Sequence, residues 1–351
     1  MEKSALRSFL SVIAVLCLFA ACNNPKAVPV APFGNGQAAA PAPAPVPTPS
    51  PGTTTTGKVY RFAFIPKSLD IPVFGYAKTG AERQAAQYGN VKILWEAPAS
   101  VNAQQQKEIL DRFIADKVDG IAISCINGEL LTPSINRAVE RGIPVITWDS
   151  DAPNSKRTAF YGLNDYDAGV KMGEEVVRLF GAQGGQVAAL TTGGADNLQK
   201  RINGFQSVIR NYPIKLVEAF DVQDDASTAA KVVASATRTY PNLRAWISVG
   251  GWPAFNSDIT ASIDPAKTYM ITFDTIPVAW DLIKSGKIHM ALGQKYFGWG
   301  SAPTRLLYDI VVNHQYPPST FVDSGVDIVT KDNIAEYIKK WEQMEKGQIV
   351  E

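Results

Sequence analysis

Gly142-Ile-Pro-Val-Ile-Thr-Trp-Asp149-Ser-Asp151 is a short β-branched run that ends abruptly in carboxylates. A brief apolar run of this kind reads as a strand buried on both faces, so 144–148 is a strand of a parallel sheet and Asp149 and Asp151 stand at its carboxyl end. A stretch of helical period, 130–140, precedes it, and a second short run, 159–162, follows. The alternation continues outward in both directions. Strands are expected at 61–65, 91–95, 120–124, 186–191, 215–220, 245–249, 269–273 and 289–292, and helices at 102–116, 166–180, 198–211, 226–240, 278–284 and 333–344. Such a pattern builds right-handed βαβ crossovers and mainly parallel sheets covered on both faces.

These ten strands exceed a comfortable single sheet, and the pattern restarts near 161–167, where Gly162 and Asn164-Asp165 interrupt it. The expected fold is therefore α/β, with two doubly wound parallel-sheet lobes. Ligands of open parallel sheets bind beyond the carboxyl ends of the strands, so function belongs between the lobes. The polar residues at those ends are Lys67, Asp149, Asp151, Asp274 and Gln294. An ionised Asp accepts from two adjacent hydroxyls at once, and aromatic rings cover apolar C–H faces. Phe74, Trp148, Trp252, Tyr296 and Trp299 all stand at or just beyond strand ends, which points to a neutral polyol. The competing use of Asp149 and Asp274 is capping of a following helix.

Composition narrows the function further. Lys and Arg number 34 against 33 Asp and Glu, so no overall field draws the chain to nucleic acid. Two histidines, His289 and His314, lie outside any metal-ligand spacing, and Cys-x-x-Cys, Gly-x-Ser-x-Gly and P-loop motifs are absent. Beyond the amino-terminal region Cys125 is the one cysteine, and its apolar strand context reads as packing. No catalytic residue, metal or cofactor is expected. A glycosidase, the enzymatic alternative, would need two carboxylates about 5 to 10 Å apart across a glycosidic bond.

The amino terminus carries Lys3 and Arg7, an apolar run from Phe9 to Phe19, and Ala20-Ala21-Cys22. That order is a secretory signal, 1–21, too short to span a bilayer. Residues 22–57 form a Pro/Ala/Thr-rich tether, with Pro41, Pro43, Pro45, Pro47, Pro49 and Pro51 in alternation, a composition that favours extended polyproline II. The mature chain is expected to work outside the cytoplasm.

Five stretches, in this order, resemble the periplasmic sugar-binding proteins of ABC importers, of the ribose-binding type. They are Phe64-Ile-Pro-Lys-Ser-Leu-Asp-Ile-Pro-Val-Phe74, Gly142-Ile-Pro-Val-Ile-Thr-Trp-Asp149, Lys200-Arg-Ile-Asn-Gly-Phe205, Ile271-Thr-Phe-Asp274 and Gly293-Gln294. The resemblance implies a type I periplasmic binding protein, its two lobes joined by a three-strand hinge with crossings near Leu163, Gln294 and Val322, one lobe taking 58–163 plus 295–322 and the other 164–294 plus 323–351. It also implies that the protein acts as a monomer, takes up a monosaccharide or related polyol and delivers it to the membrane subunits of an ABC permease. It implies that Phe74 stacks on the sugar, that Asp149 and Asp274 bind hydroxyls from opposite lobes, that Arg201 contacts ring or anomeric oxygens, and that Gln294 binds near the hinge. Ser150 and Gly250 stand where ribose binders carry Arg and Asn, which argues against plain ribose. Ile65-Pro-Lys67, Thr147-Trp-Asp-Ser-Asp151 and Asp196-Asn197 are similar to the autoinducer-2 and rhamnose-binding branch, which adds Lys67, Trp148, Asp196 and Asn197 as candidates and a signalling receptor or chemoreceptor-coupled sensor as the alternative. Ala20-Ala21-Cys22 is similar to a lipobox, which implies lipidation of Cys22 and membrane contact through that anchor alone.

Overall fold

The computed structural model describes residues 57–349 and Glu351. The expected signal, Cys22 and the tether up to Thr56 lie outside the described residues. Strands β1 (Tyr60–Ile65), β2 (Val91–Trp95), β3 (Gly120–Ile123), β4 (Val145–Trp148) and β5 (Ala159–Gly162) alternate with helices α1 (Val73–Tyr88), α2 (Ala103–Ala115) and α3 (Gly128–Glu140). The second half begins with α4 (Asp165–Phe180) and continues through β6 (Gly185–Thr191), α5 (Asp196–Ile209), β7 (Ile214–Asp221), α6 (Ala226–Thr239) and β8 (Leu243–Ser248). Short helices α7 (Trp252–Phe255) and α8 (Ser257–Ala261) lead to β9 (Tyr269–Phe273), then α9 (Trp280–Lys284) and β10 (Met290–Gly293). The chain closes with α10 (Gly298–Val311), β11 (Phe321–Asp323), β12 (Asp327–Thr330) and α11 (Ile334–Glu345).

The strands form two six-stranded sheets, ordered β11-β5-β4-β3-β1-β2 and β12-β10-β9-β8-β6-β7. All ladders in them are parallel except that of β12 on β10. Each sheet is built outward from a central strand in both directions, so the architecture is the doubly wound, two-lobed α/β fold expected from the alternation. Three segments join the sheets: 163–164, 294–297 and 324–326. Among the described residues no helix is long and apolar enough to cross a membrane.

Local chemistry explains the elements. Phe62 and Phe64 of β1 join one buried cluster while Ala63 and Ile65 join another on the opposite face, which is why the strand is apolar without interruption. Asn102, Asn127, Asn164 and Asp225 cap α2, α3, α4 and α6, each accepting from a backbone N–H three residues on. Strands β11 and β12 and helices α1 and α10 are additions to the expected elements. The strands are three and four residues long, too short to display a period. The helices pack nearly backbone to backbone: a Cβ on Gly80 would lie 1.9 Å from the Phe297 carbonyl oxygen, and one on Gly300 1.8 Å from that of Ala77. On α1 the face of Ala77, Gly80 and Ala81 gives a weak hydrophobic signal that hides the helix from periodicity, whereas α10 also buries Trp299, Leu307 and Ile310.

Candidate functional site

The carboxyl ends of both sheets open onto one cavity of about 300 Å³, at the small end of the range of about 300–1,000 Å³ typical of ligand pockets. The first lobe supplies Lys67, the 70–74 loop and helix start, Asp149 and, from α10, Trp299. The second supplies Asn197, Leu198 and Arg201 from α5, residues 224–226, the Gly250-Gly251-Trp252 turn with Phe255, and Asp274, with Gln294 where β10 ends.

Asp149 and Asp274 follow β4 and β9 and both adopt the left-handed region, with φ of 59° and 71°. Asp is one of the few non-glycine residues that enter this region readily. Neither caps a helix. Asp149 Oδ2 accepts from Ser124 Oγ at 2.6 Å and lies 3.6 Å from Lys67 Nζ, while Oδ1 is 3.5 Å from Asn197 Nδ2 of the other lobe. Asp274 Oδ1 accepts from Gln294 Nε2 at 3.1 Å and from Tyr296 Oη at 2.9 Å. Its Oδ2 lies against Gly251, where a Cβ would come within 2.0 Å of it. Burial raises the Asp274 pKa to about 6, against the pull of those two hydrogen bonds.

Arg201 is 2 % exposed and ties α5 to the start of α4, to the end of β8 and to the 294–297 joining segment. Nε donates to Asp165 Oδ1 at 2.8 Å, Nη1 to the Val249 carbonyl at 2.9 Å and Nη2 to Gln294 Oε1 at 3.0 Å. The guanidinium also lies over the Phe273 ring, 3.7 Å from its centroid. Gln294 thus accepts from Arg201 and donates to Asp274, completing the run Asp165–Arg201–Gln294–Asp274. Burial lifts the Asp165 pKa to about 6 even with Arg201 beside it. Arg201 both faces the cavity and pairs with a carboxylate.

The described site holds eight of the sequence candidates on the cavity wall: Lys67, Phe74, Asp149, Asn197, Arg201, Gly250, Asp274 and Gln294. Two lie elsewhere. Trp148 is fully buried behind Phe74, edge-on to it at 5.5 Å, because the alternation of β4 turns its indole into the core. Asp196 stands outside the wall and pairs with Lys200 at 2.6 Å, one turn along α5. Asp151, the neighbouring strand-end acid, is likewise claimed, by Arg157 at 2.5 and 2.6 Å and by Thr147 Oγ1 at 2.6 Å. Tyr296 acts from behind as a donor to Asp274. Asp70, Asp224, Asp225 and Phe255 join the wall without having been expected there. Asp225 was legible as the cap of α6; that its loop also faces the cleft has no local signal.

A model of the periplasmic binding protein domain matches residues 62–315. The chain belongs to the periplasmic binding protein family. The xylose/arabinose-binding protein XylF of Sulfolobus acidocaldarius is 22% identical over 263 residues, 70% of this chain and 64% of that protein, so the match spans just under two thirds of the relative's length. A solute-binding protein of an ABC transporter from Burkholderia graminis, solved in complex with D-arabinose, superposes with a TM-score of 0.73 at 32% identity, covering 80% of this chain and 98% of that one. GanP, a glucose-galactose binding protein from Geobacillus stearothermophilus, gives a TM-score of 0.74 at 25% identity over 79% of this chain and 99% of its own. The cavity of this periplasmic binding protein lies where the carboxyl ends of the sheets meet.

Proposed function

We propose that this chain is an extracytoplasmic receptor that takes a monosaccharide or related polyol between its lobes and hands it, chemically unchanged, to the membrane subunits of an ABC permease. The observation that carries the reading is the pairing of Asp149 and Asp274, one from each sheet, in a single small cavity that also exposes Phe74, Trp252 and Trp299. Carboxylates of this kind accept from vicinal hydroxyls with hydrogen bonds worth about 1.5–3 kcal/mol each, and the rings cover C–H faces. Asp149, Asp274, Phe74, Arg201, Asn197 and Gln294 are the proposed ligand-binding residues, with Lys67 beside them. The D-arabinose complex of the Burkholderia graminis relative supports a monosaccharide as the ligand.

Closure is favoured by contacts that the ligand makes to both lobes at once. In this reading the lobes, 58–163 plus 295–322 and 164–294 plus 323–351, move about the three joining segments. Residues 1–21 are removed as a signal, and Cys22 carries the lipid that holds the domain at the membrane surface. Titration calorimetry of the full chain against pentoses, hexoses, 6-deoxyhexoses and polyols tests the proposal. Binding without turnover supports it, and heat from none of them, or release of cleaved product from a glycoside, overturns it. Lys67, 5 % exposed on the cavity wall, favours one second reading, a signalling receptor for autoinducer-2, which the same titration distinguishes when that molecule is included.

A further inference from the structure

Helix α11 is fixed to one lobe and touches the other. It is held on the second lobe by Tyr337, whose Oη lies 2.6 Å from Thr275 Oγ1, by Lys340, 3.4 Å from Asp327, and by Trp341, edge-on to Trp280 at 6.2 Å. Trp341 also meets Tyr76 of α1, edge-on at 4.9 Å, and α1 packs on β2 and α10 of the first lobe.

Two charged side chains reinforce the crossing. Arg83 of α1 donates through Nη1 to the Met344 carbonyl at 2.9 Å and through Nη2 to that of Glu345, so carbonyls that the last turn of α11 leaves without an intrahelical partner are satisfied from the other lobe. Glu351 acts in the reverse sense. Its Oε2 accepts from the backbone N–H of Phe297 at 2.8 Å and of Gly298 at 3.2 Å, at the start of α10, which has no side-chain cap of its own. A carboxylate on those N–H groups makes charge-assisted hydrogen bonds and is favoured by the helix dipole. Lys295, in the same joining segment, pairs with Asp327 of β12 at 2.6 Å. Arg83, Trp341 and Glu351 all stand outside the cavity wall.

These contacts are made in an arrangement that brings the lobes together, with Asn197 Nδ2 of one 3.5 Å from Asp149 Oδ1 of the other. Hydrogen bonds weaken steeply once donor and acceptor separate or tilt, so a lobe rotation that shifts α1 and α10 against α11 forfeits them. We infer that α11, together with Glu351, is a strap across the joining segments that holds the lobes together in the free chain, and so sets the affinity of the cavity without touching its ligand. Apparent affinity falls in proportion to the fraction of chains in the binding-competent arrangement, so loosening the strap weakens every ligand by one common factor. The effect on affinity rests on the reading of the cavity as a sugar site; the effect on lobe arrangement does not.

The experiment is calorimetric titration of the full chain with arabinose, xylose, galactose and glucose, beside small-angle X-ray scattering of the free protein, for the wild type, Arg83→Ala, Glu351→Ala and the double variant. Each single variant is expected to weaken every sugar that binds by about three- to tenfold, and by the same factor for each, because the strap acts on closure and not on the choice of ligand. Glu351→Gln, which keeps an acceptor for the two N–H groups, recovers part of the loss. The free double variant is expected to show a larger radius of gyration than the free wild type. Melting temperature read in parallel shows that each variant is folded, and Arg83→Lys, which retains a donor, takes the place of Arg83→Ala should that variant unfold. Unchanged affinity in both folded single variants, a factor that differs from sugar to sugar, or an unchanged radius of gyration in the free double variant overturns the strap and leaves the receptor reading standing. Absence of binding by all four sugars to the wild type defeats the receptor reading, and the scattering of the free double variant then decides the strap alone.

Discussion

The carboxyl ends of β4 and β9 occupy the same place in their two sheets, and each ends in an aspartate at positive φ, yet the two acids are wired differently. Asp149 sits between a hydroxyl, an ammonium and an amide from the opposite lobe. Asp274 has neutral partners, Gln294 and Tyr296, and the cation near it, Arg201, is already engaged by Asp165. Burial therefore dominates Asp274 and lifts its pKa to about 6. Equivalent topology supplies two acceptors to one cavity, and the surrounding partners give each a different set of hydrogen bonds.

The largest effect is expected from breaking the β9 side at its buried ion pair. Arg201→Ala leaves Asp165 buried without its partner and should destabilise the fold by about 3–5 kcal/mol, read by denaturant or thermal unfolding. Little loss would mean that water reaches Asp165 and that the pair is not the anchor of this lobe.

The isosteric pair Asp149→Asn and Asp274→Asn separates the two ends directly. Each removes charge-assisted hydrogen bonds to the ligand and should weaken sugar binding by roughly ten- to a hundredfold, about 1.5–3 kcal/mol. Stability of the free protein should move in opposite directions. Asp149→Asn strips Lys67 of its counter-charge, whereas Asp274→Asn removes a carboxyl whose ionised form burial disfavours. Equal stability changes in both variants would erase the proposed contrast.

A smaller effect lies in pH. The folded-state pKa of Asp274 and of Asp165, about 6 in each case, is raised above the unfolded value of about 3.9, so the folded state binds protons more tightly between those limits. Each group then makes the free protein more stable as pH falls from 7 to 5, by about 1 kcal/mol, and the contribution is lost as pH rises through 6. Sugar binding that uses ionised Asp274 should weaken over the same interval. Asp274→Asn should remove its share of the stability gain and flatten the affinity profile; a variant that keeps both slopes would assign them elsewhere.

The smallest effect belongs to Asp196, whose partner Lys200 is half exposed at the surface of α5. Asp196→Ala should change affinity by less than about twofold and stability by no more than about 0.5 kcal/mol. A tenfold loss of binding would return this residue to the cavity wall.

The strand-end acids show how far sequence carried. Asp149, Asp151, Asp196 and Asp274 are all acids in the connections that follow strands, and the run of residues makes no distinction among them. In the folded chain Arg157 occupies Asp151 and Lys200 occupies Asp196, while Asp149 and Asp274 keep oxygens with long or no contacts. Phe74 and Trp148 likewise share a place in the chain pattern, and one lines the cavity while the other supports it from the core. Helix α1 is hidden for the opposite reason: its seam with α10 runs along Ala77, Gly80 and Ala81, and close backbone contact replaces the bulky apolar stripe that periodicity detects.

By itself the sequence determined that this chain folds as two doubly wound lobes with acids and aromatics at the strand ends, because β-branched runs alternating with amphipathic stretches admit few other topologies. Tertiary structure alone decided which of those residues share a cavity and which are taken by a neighbouring cation. Those outcomes depend on contacts between residues tens of positions apart, and no local pattern encodes the competition among partners that only folding brings within hydrogen-bonding distance.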